Sequence, residues 1–152
     1  MLSIGRQTPE GALGATSWVR LLDSEESLVA AQGFGAGVLV VNYSGELLRH
    51  VDEDERGLTE SAVLAHIDGH LGWTDRCEPI GPGRLGVVVV PIDGPLALVR
   101  RARELHRDLR ARGFHVDVAY ASRRRTGGLW AAAARADAAL DTVLARRSKS
   151  GG

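Results

Sequence analysis

The stretch Ile80-Gly81-Pro82-Gly83-Arg84-Leu85-Gly86-Val87-Val88-Val89-Val90-Pro91 decides the fold. A Gly-Pro-Gly turn leads into an unbroken apolar, β-branched run. This reads as a hairpin feeding a strand buried on both faces. Three more short runs extend the reading. Gly37 to Tyr43 (GVLVVNY) lies between turn signals and reads as a second buried strand. Residues 76–80 supply the other arm of the hairpin, and Phe114 to Ala121 (FHVDVAYA) alternates as a half-buried strand does.

Helical patterns separate these strands. Residues 17–31 place Val19, Leu22, Leu28 and Val29 on one stripe. After the Ser44-Gly45 turn, residues 46–51 begin a further helical pattern. Asp52 to Glu55 is an acidic, solvated run, and Thr59 or Ser61 is the expected cap of a helix carrying Val63, Leu64, Ile67 and Leu71. Asp93-Gly94-Pro95 opens a helix to about residue 112, with Leu96, Val99, Ala102, Leu105 and Leu109 as its expected apolar stripe and Gly113 as its stop. Leu129 to Arg147 is an Ala-rich helix. Residues 1–15 read as a flexible arm, 16–147 as one domain and 148–152 as a tail. The order α-β-α-β-β-α-β-α describes an α/β (α+β) split βαβ architecture with a mainly antiparallel sheet.

Bulk properties narrow the function classes. The chain has 152 residues, enough for one full core. Its 19 basic and 19 acidic residues cancel, which gives no footprint for nucleic acid or a membrane surface. A single cysteine, Cys77, excludes an internal disulfide and a multi-cysteine zinc site. No apolar run reaches the ~18–20 residues of a spanning helix, and no leader is visible, so a cytoplasmic protein is expected.

The ordered landmarks VLVVNYSG (38–45), IGPGRLGVVVVP (80–91), VDVAYA (116–121) and RADAAL (135–140) together resemble the GGDEF, or diguanylate cyclase, family over roughly residues 17–147. The resemblance implies a nucleotide cyclase fold. It also assigns roles by position. Active members hold Mg²⁺ and a nucleoside triphosphate with acids at the end of the first strand and in the hairpin, since hard cations want oxygen ligands and phosphoryl transfer needs charge neutralisation. Here Asn42 and Ser44 stand at the first pair of positions, and Gly81-Pro82-Gly83-Arg84-Leu85 replaces the signature pentapeptide. Pro82 removes a backbone donor. Gly83 and Arg84 replace the two acids, and Arg84 reverses the charge.

Other family positions have changed as well. The segment Glu46-Leu47-Leu48-Arg49-His50-Val51 lacks the pattern that reads guanine and phosphate. Asp141 and Leu144 stand in the closing helix where a Tyr and a Lys are expected. At the product-inhibition site, Asp75 is kept and Gly72 replaces the clamping Arg. The resemblance therefore implies a chain without cyclase activity, without a metal and without a cofactor.

The expected role is a regulatory or scaffolding module whose partner is another protein, a signalling or polarity component on a separate chain. The alternative is a non-catalytic receptor for cyclic di-GMP or GTP. A residual NTPase built on Asp93 or Asp52 is a third reading. A basic surface of Arg100, Arg103, Arg107, Arg110, Arg123, Arg124 and Arg125 is the candidate contact area, although Glu104 and Asp108 interleave and can pair with it. His66 and His70 have a metal-compatible i, i+4 spacing without a third ligand, and read as a helix face. Trp18, Trp73 and Trp130 read as packing residues, and Gly127-Gly128 as a turn.

Overall fold

The computed structural model describes residues 10–47, 52–72 and 75–151. The elements run α1 (Glu10–Gln32), β1 (Gly37–Asn42), a single turn α2 (Ser44–Leu47), α3 (Glu53–His70), β2 (Arg76–Gly81), β3 (Arg84–Val89), α4 (Pro95–Ala111), β4 (Asp117–Ser122) and α5 (Gly128–Gly151). The helical pattern expected from residue 46 continues into 48–51, which lie outside the described residues, as do Trp73 and Thr74.

One four-stranded sheet has the order β2-β3-β1-β4, and all three pairings are antiparallel. The connection β1–α3–β2 leaves a gap that β3 fills. The connection β3–α4–β4 leaves a gap that β1 fills. Two split βαβ units therefore interlock, as the order of elements in the sequence implies. Side chains alternate across the sheet. Val38, Val40, Val88, Ala119 and Ala121 join Trp18, Leu22, Ala132, Ala136 and Leu140 beneath α1 and α5. Leu39, Val41, Val87, Val89, Val63, Ile67, Leu98 and Leu105 form the second core beneath α3 and α4. The alanines of β4 meet the alanines of α5, which lets that helix lie close to the sheet.

Two glycines set these layers. At Gly86 in β3, a Cβ would lie 2.6 Å from the Trp18 ring, so the bare backbone is the seat of that buried indole. Gly83 has φ 77° behind Pro82, the pattern of a type II turn. The register shifts by one residue between Pro79 and Gly81 on the way into that turn.

Several boundaries differ from the sequence reading. The arm expected over 1–15 is helical from Glu10, because helix formers around Gly11 and Gly14 extend a helix already nucleated by packing. The tail expected over 148–152 continues α5 as helix through Gly151. Helix α3 is capped by Asp52, whose carboxylate accepts from the Asp54 N–H at 2.9 Å. Thr59 instead lies inside that helix and donates to the Glu55 carbonyl. In α4 the buried stripe is Leu98, Ala102, Leu105 and Leu109, and Leu96 is 75% exposed. Leu96 follows Pro95 in the first turn, ahead of the point where the helix meets the sheet. The α4 stop behaves as expected, with Gly113 at φ 91°.

Candidate functional site

The positions that the resemblance assigns to metal and phosphate meet at one end of the sheet. Arg84, Asn42 and Asp117 form a row across β3, β1 and β4, paired directly in register. By alternation all three side chains lie on the α5 side, and α5 answers them. Arg84 Nη1 donates to Asp137 Oδ1 at 2.5 Å, and Nη2 to Asp141 Oδ1 at 2.7 Å. Arg147 donates to both carboxylate oxygens of Asp117. Asp137, Asp141 and Arg147 thus fasten the helix along that row. Burial works against the Arg84 charge, but the two carboxylates outweigh it and raise the guanidinium above its ordinary range.

Between these ion pairs sits Asn42, 4% exposed, whose Oδ1 accepts from Ser44 Oγ at 3.0 Å. The hairpin closes onto this segment. The Tyr43 N–H donates to the Gly83 carbonyl at 2.7 Å, and a Cβ on Gly83 would lie 2.9 Å from the Ser44 Cα. The hairpin tip and the chain after β1 therefore touch one another. The donor set does not fit Mg²⁺. Asn42 and Ser44 are neutral and bonded to each other, the Gly83 carbonyl is taken, Arg84 is a cation that engages Asp137 and Asp141, and Asp117 is engaged by Arg147.

The second family position is also occupied from within. Asp75 is 5% exposed. Its Oδ1 accepts from the Val90 N–H at 3.1 Å, and its Oδ2 accepts from the Gly72 N–H at 2.8 Å and from Arg101 Nη2 at 2.5 Å. The Gly72 position contributes a backbone donor to this carboxylate where a clamping side chain was sought. Asp75 ties the turn before β2 to the end of β3 and to α4.

The expected basic surface separates into two parts. Arg100, Arg103, Arg107 and Arg110 are exposed on α4. Arg123 is withdrawn from the surface, donating through Nε and Nη2 to Glu26 at 2.8 and 2.6 Å. It lines a cavity with Arg125, Glu26 and Phe34 on the α1 side of the sheet, and Arg124 is exposed beside it. The same Glu26 accepts from the Leu129 N–H at 2.8 Å, so it caps α5. A Cβ on Gly128 would collide with that carboxylate, which gives the Gly127-Gly128 turn its purpose.

Remaining candidates have local roles. His66 and His70 lie with ring centroids 4.9 Å apart, and His70 pairs with Asp108 at 3.1 Å. Burial, then His70, holds the His66 imidazole below its usual range. Cys77 is partly buried against the core, and its thiol is pushed up to about 12 by burial. Trp130 Nε1 donates to Asp23 at 2.7 Å. Asp93 lines a shallow cavity with Arg100. Among the described residues no helix is long and apolar enough to cross a membrane.

Sequence reasoning passed over Glu26, Asp117, Asp137 and Arg147 as participants. Asp137 and Asp141 carried a usable signal. Their i, i+4 spacing puts two acids on one helix face, which calls for a cation opposite.

No protein-family model and no curated protein matches the chain. Solved structures do. The GGDEF domain of DgcB from Caulobacter crescentus, in complex with c-di-GMP, superposes with a TM-score of 0.72 at 15% identity, covering 91% of this chain and 85% of that one. The GGDEF domain of PA1120 (TpbB or YfiN) from Pseudomonas aeruginosa gives 0.67 at 16%, covering 85% and 80%. The diguanylate cyclase SiaD from the same organism, in complex with its activator SiaC, gives 0.71 at 15%, covering 88% of this chain and 55% of that one. On this architecture and these superpositions, the chain has the fold of a GGDEF domain.

Proposed function

We propose that this chain is a non-catalytic GGDEF-fold module that works through contacts with another protein. The observation that carries this reading is the Arg84 clamp. A guanidinium stands where a metal-binding acid would, and it holds Asp137 and Asp141. Phosphoryl transfer needs positive charge placed on the phosphates by groups free to meet them. Here the cation is consumed by protein carboxylates, and the neutral Asn42–Ser44 pair offers no hard-cation site. The receptor alternative is disfavoured at the inhibitory position, because Asp75 is buried and already accepts from Val90, Gly72 and Arg101. SiaD, which this chain matches over 55% of SiaD's length, is solved in complex with its activator SiaC.

Calorimetric titration with cyclic di-GMP and, separately, with Mg²⁺-GTP tests the proposal. No saturable heat with either ligand, up to high micromolar concentration, is expected. Saturable binding of cyclic di-GMP would make the chain a receptor. Binding of Mg²⁺-GTP would mean that the Arg84 clamp opens.

A further inference from the structure

Among the described residues, no strand pairs with the outer side of β4. The ladder fixes which of its backbone groups face outward. The Arg123 N–H donates to the Ala36 carbonyl at 2.8 Å, which makes that a hydrogen-bonded pair. Antiparallel pairing alternates, so Ala121, Ala119 and Asp117 turn their N–H and C=O groups toward β1. Val118, Tyr120 and Ser122 turn theirs outward. The Ser122 carbonyl obeys this geometry, accepting from Arg135 Nη2 at 2.7 Å. The outward N–H and C=O groups of Val118 and Tyr120 have no partner among the described residues.

A cavity of about 330 Å³ runs along this edge, with Arg103 and His106 of α4 on one bank and Val143 and Arg147 of α5 on the other. Tyr120 in its floor is 44% exposed and Val143 is 40% exposed. Edge strands are commonly protected by proline, lysine or a covering element. The sequence of β4, DVAYAS, has neither residue.

Charge selects the occupant. Arg103, Arg107 and Arg110 are exposed on one stripe of α4. Arg103 and Arg110 have no ion pair among the described residues, and Arg107 has only a 3.9 Å contact with its neighbour Asp108. The acid of the cavity, Asp117, is already neutralised by Arg147. Arg103 lines the cavity and the stripe continues beyond it, so the α4 bank is positive, and the α5 bank, at Val143, is apolar. A second copy of this chain pairing edge to edge would set two arginine stripes together.

We propose that the β4 edge receives an extended segment of a partner protein, added as a fifth strand. Its acidic side chains face α4 and alternate with apolar side chains facing α5. This deepens the protein-interaction reading and rests on it.

The probe is a fluorescein-labelled peptide of roughly seven residues alternating glutamate and valine, with anisotropy measured on the full chain at low salt. A lysine–valine peptide is the control. Tyr120→Pro removes one outward donor and leaves the β1–β4 ladder bonds intact, and circular dichroism verifies its fold. Saturable binding of the glutamate peptide alone is expected, weakened about tenfold by Tyr120→Pro and further by the double reversal Arg103→Glu, Arg107→Glu. Slowed exchange of the Val118 and Tyr120 amides accompanies it. Absence of saturable binding, equal binding of the lysine peptide, or binding unchanged by Tyr120→Pro overturns the proposal. So does slow exchange of those two amides in the free chain, which would mean a copy already covers the edge. GTP turnover would defeat the non-catalytic reading without altering any of these results.

Discussion

Replacing Glu26 with alanine breaks three hydrogen bonds that join α1, the β4–α5 connection and the start of α5. Glu26 and Arg123 are 26% and 17% exposed as side chains, so solvent only partly replaces what is lost. A charge-assisted bidentate pair in such a setting contributes about 1.5–2 kcal/mol. The cap on Leu129 adds about 1 kcal/mol, and the total is about 2.5–3 kcal/mol. For a chain of this size, that lowers Tm by about 5–10 °C. Glu26→Gln keeps an acceptor for the cap and loses the charge, so about half of the effect is expected.

The pH dependence has a definite sign. Arg123 holds the Glu26 carboxyl below its ordinary value of 4.5, with the Leu129 N–H adding to the shift and burial opposing it. A carboxylate lowered on folding stabilises above its unfolded pKa, and the contribution is lost as pH falls through the folded one. The stability gap between the wild type and Glu26→Gln is therefore full at pH 7 and shrinks as pH falls below 4.5. Urea unfolding monitored by tryptophan fluorescence at several pH values measures it. A gap under about 0.5 kcal/mol at pH 7, or one that does not change between pH 7 and pH 3, would refute the reasoning.

Other perturbations separate the remaining claims. Gly86→Ala places a methyl against the buried Trp18 ring and should cost about 2 kcal/mol, with a changed near-ultraviolet dichroism from the displaced indole. Leu98→Ala should cost about 3 kcal/mol, while Leu96→Ala, at an exposed site, should cost under about 0.5 kcal/mol; thermal melts of both decide which phase of α4 is buried. Arg84→Ala leaves Asp137 and Asp141 facing one another, and should lower Tm by about 2–4 °C in dilute buffer and by less in 1 M NaCl, since both acids are largely exposed and salt screens them.

What could be read from the chain beforehand follows the range of the interactions. The strands of Gly37–Asn42 and Arg84–Val89 are apolar runs between turn residues, and Pro82-Gly83 joins strands that pair locally. These signals sit within a dozen residues and survive folding unchanged. Gly113 and Pro95 mark the ends of α4 by backbone chemistry alone. The misplaced cap of α3 shows the limit. An acidic run reads as solvated, and Asp52 to Glu55 is indeed exposed, yet solvent exposure does not prevent Asp52 from serving as the cap. Leu96 and Leu98 fit alternative phases of one helix, and only the sheet beneath α4 chooses between them. The clamps were invisible for a different reason. Glu26 and Arg123 are 97 residues apart, and Arg84 and Asp137 are 53 apart. Nothing local couples them until the sheet order brings β3, β1 and β4 under α5.

The central claim is that the Arg84–Asp137–Asp141 arrangement has replaced nucleotide chemistry at this end of the sheet. The most direct measurement is incubation of the purified chain with GTP and Mg²⁺, and separately Mn²⁺, followed by chromatography and mass detection of nucleotide products, with an active diguanylate cyclase run in parallel. The account predicts unconverted GTP after hours at high protein concentration. Cyclic di-GMP formed in proportion to protein concentration, and lost in a variant of Asn42 or Arg84, would contradict it.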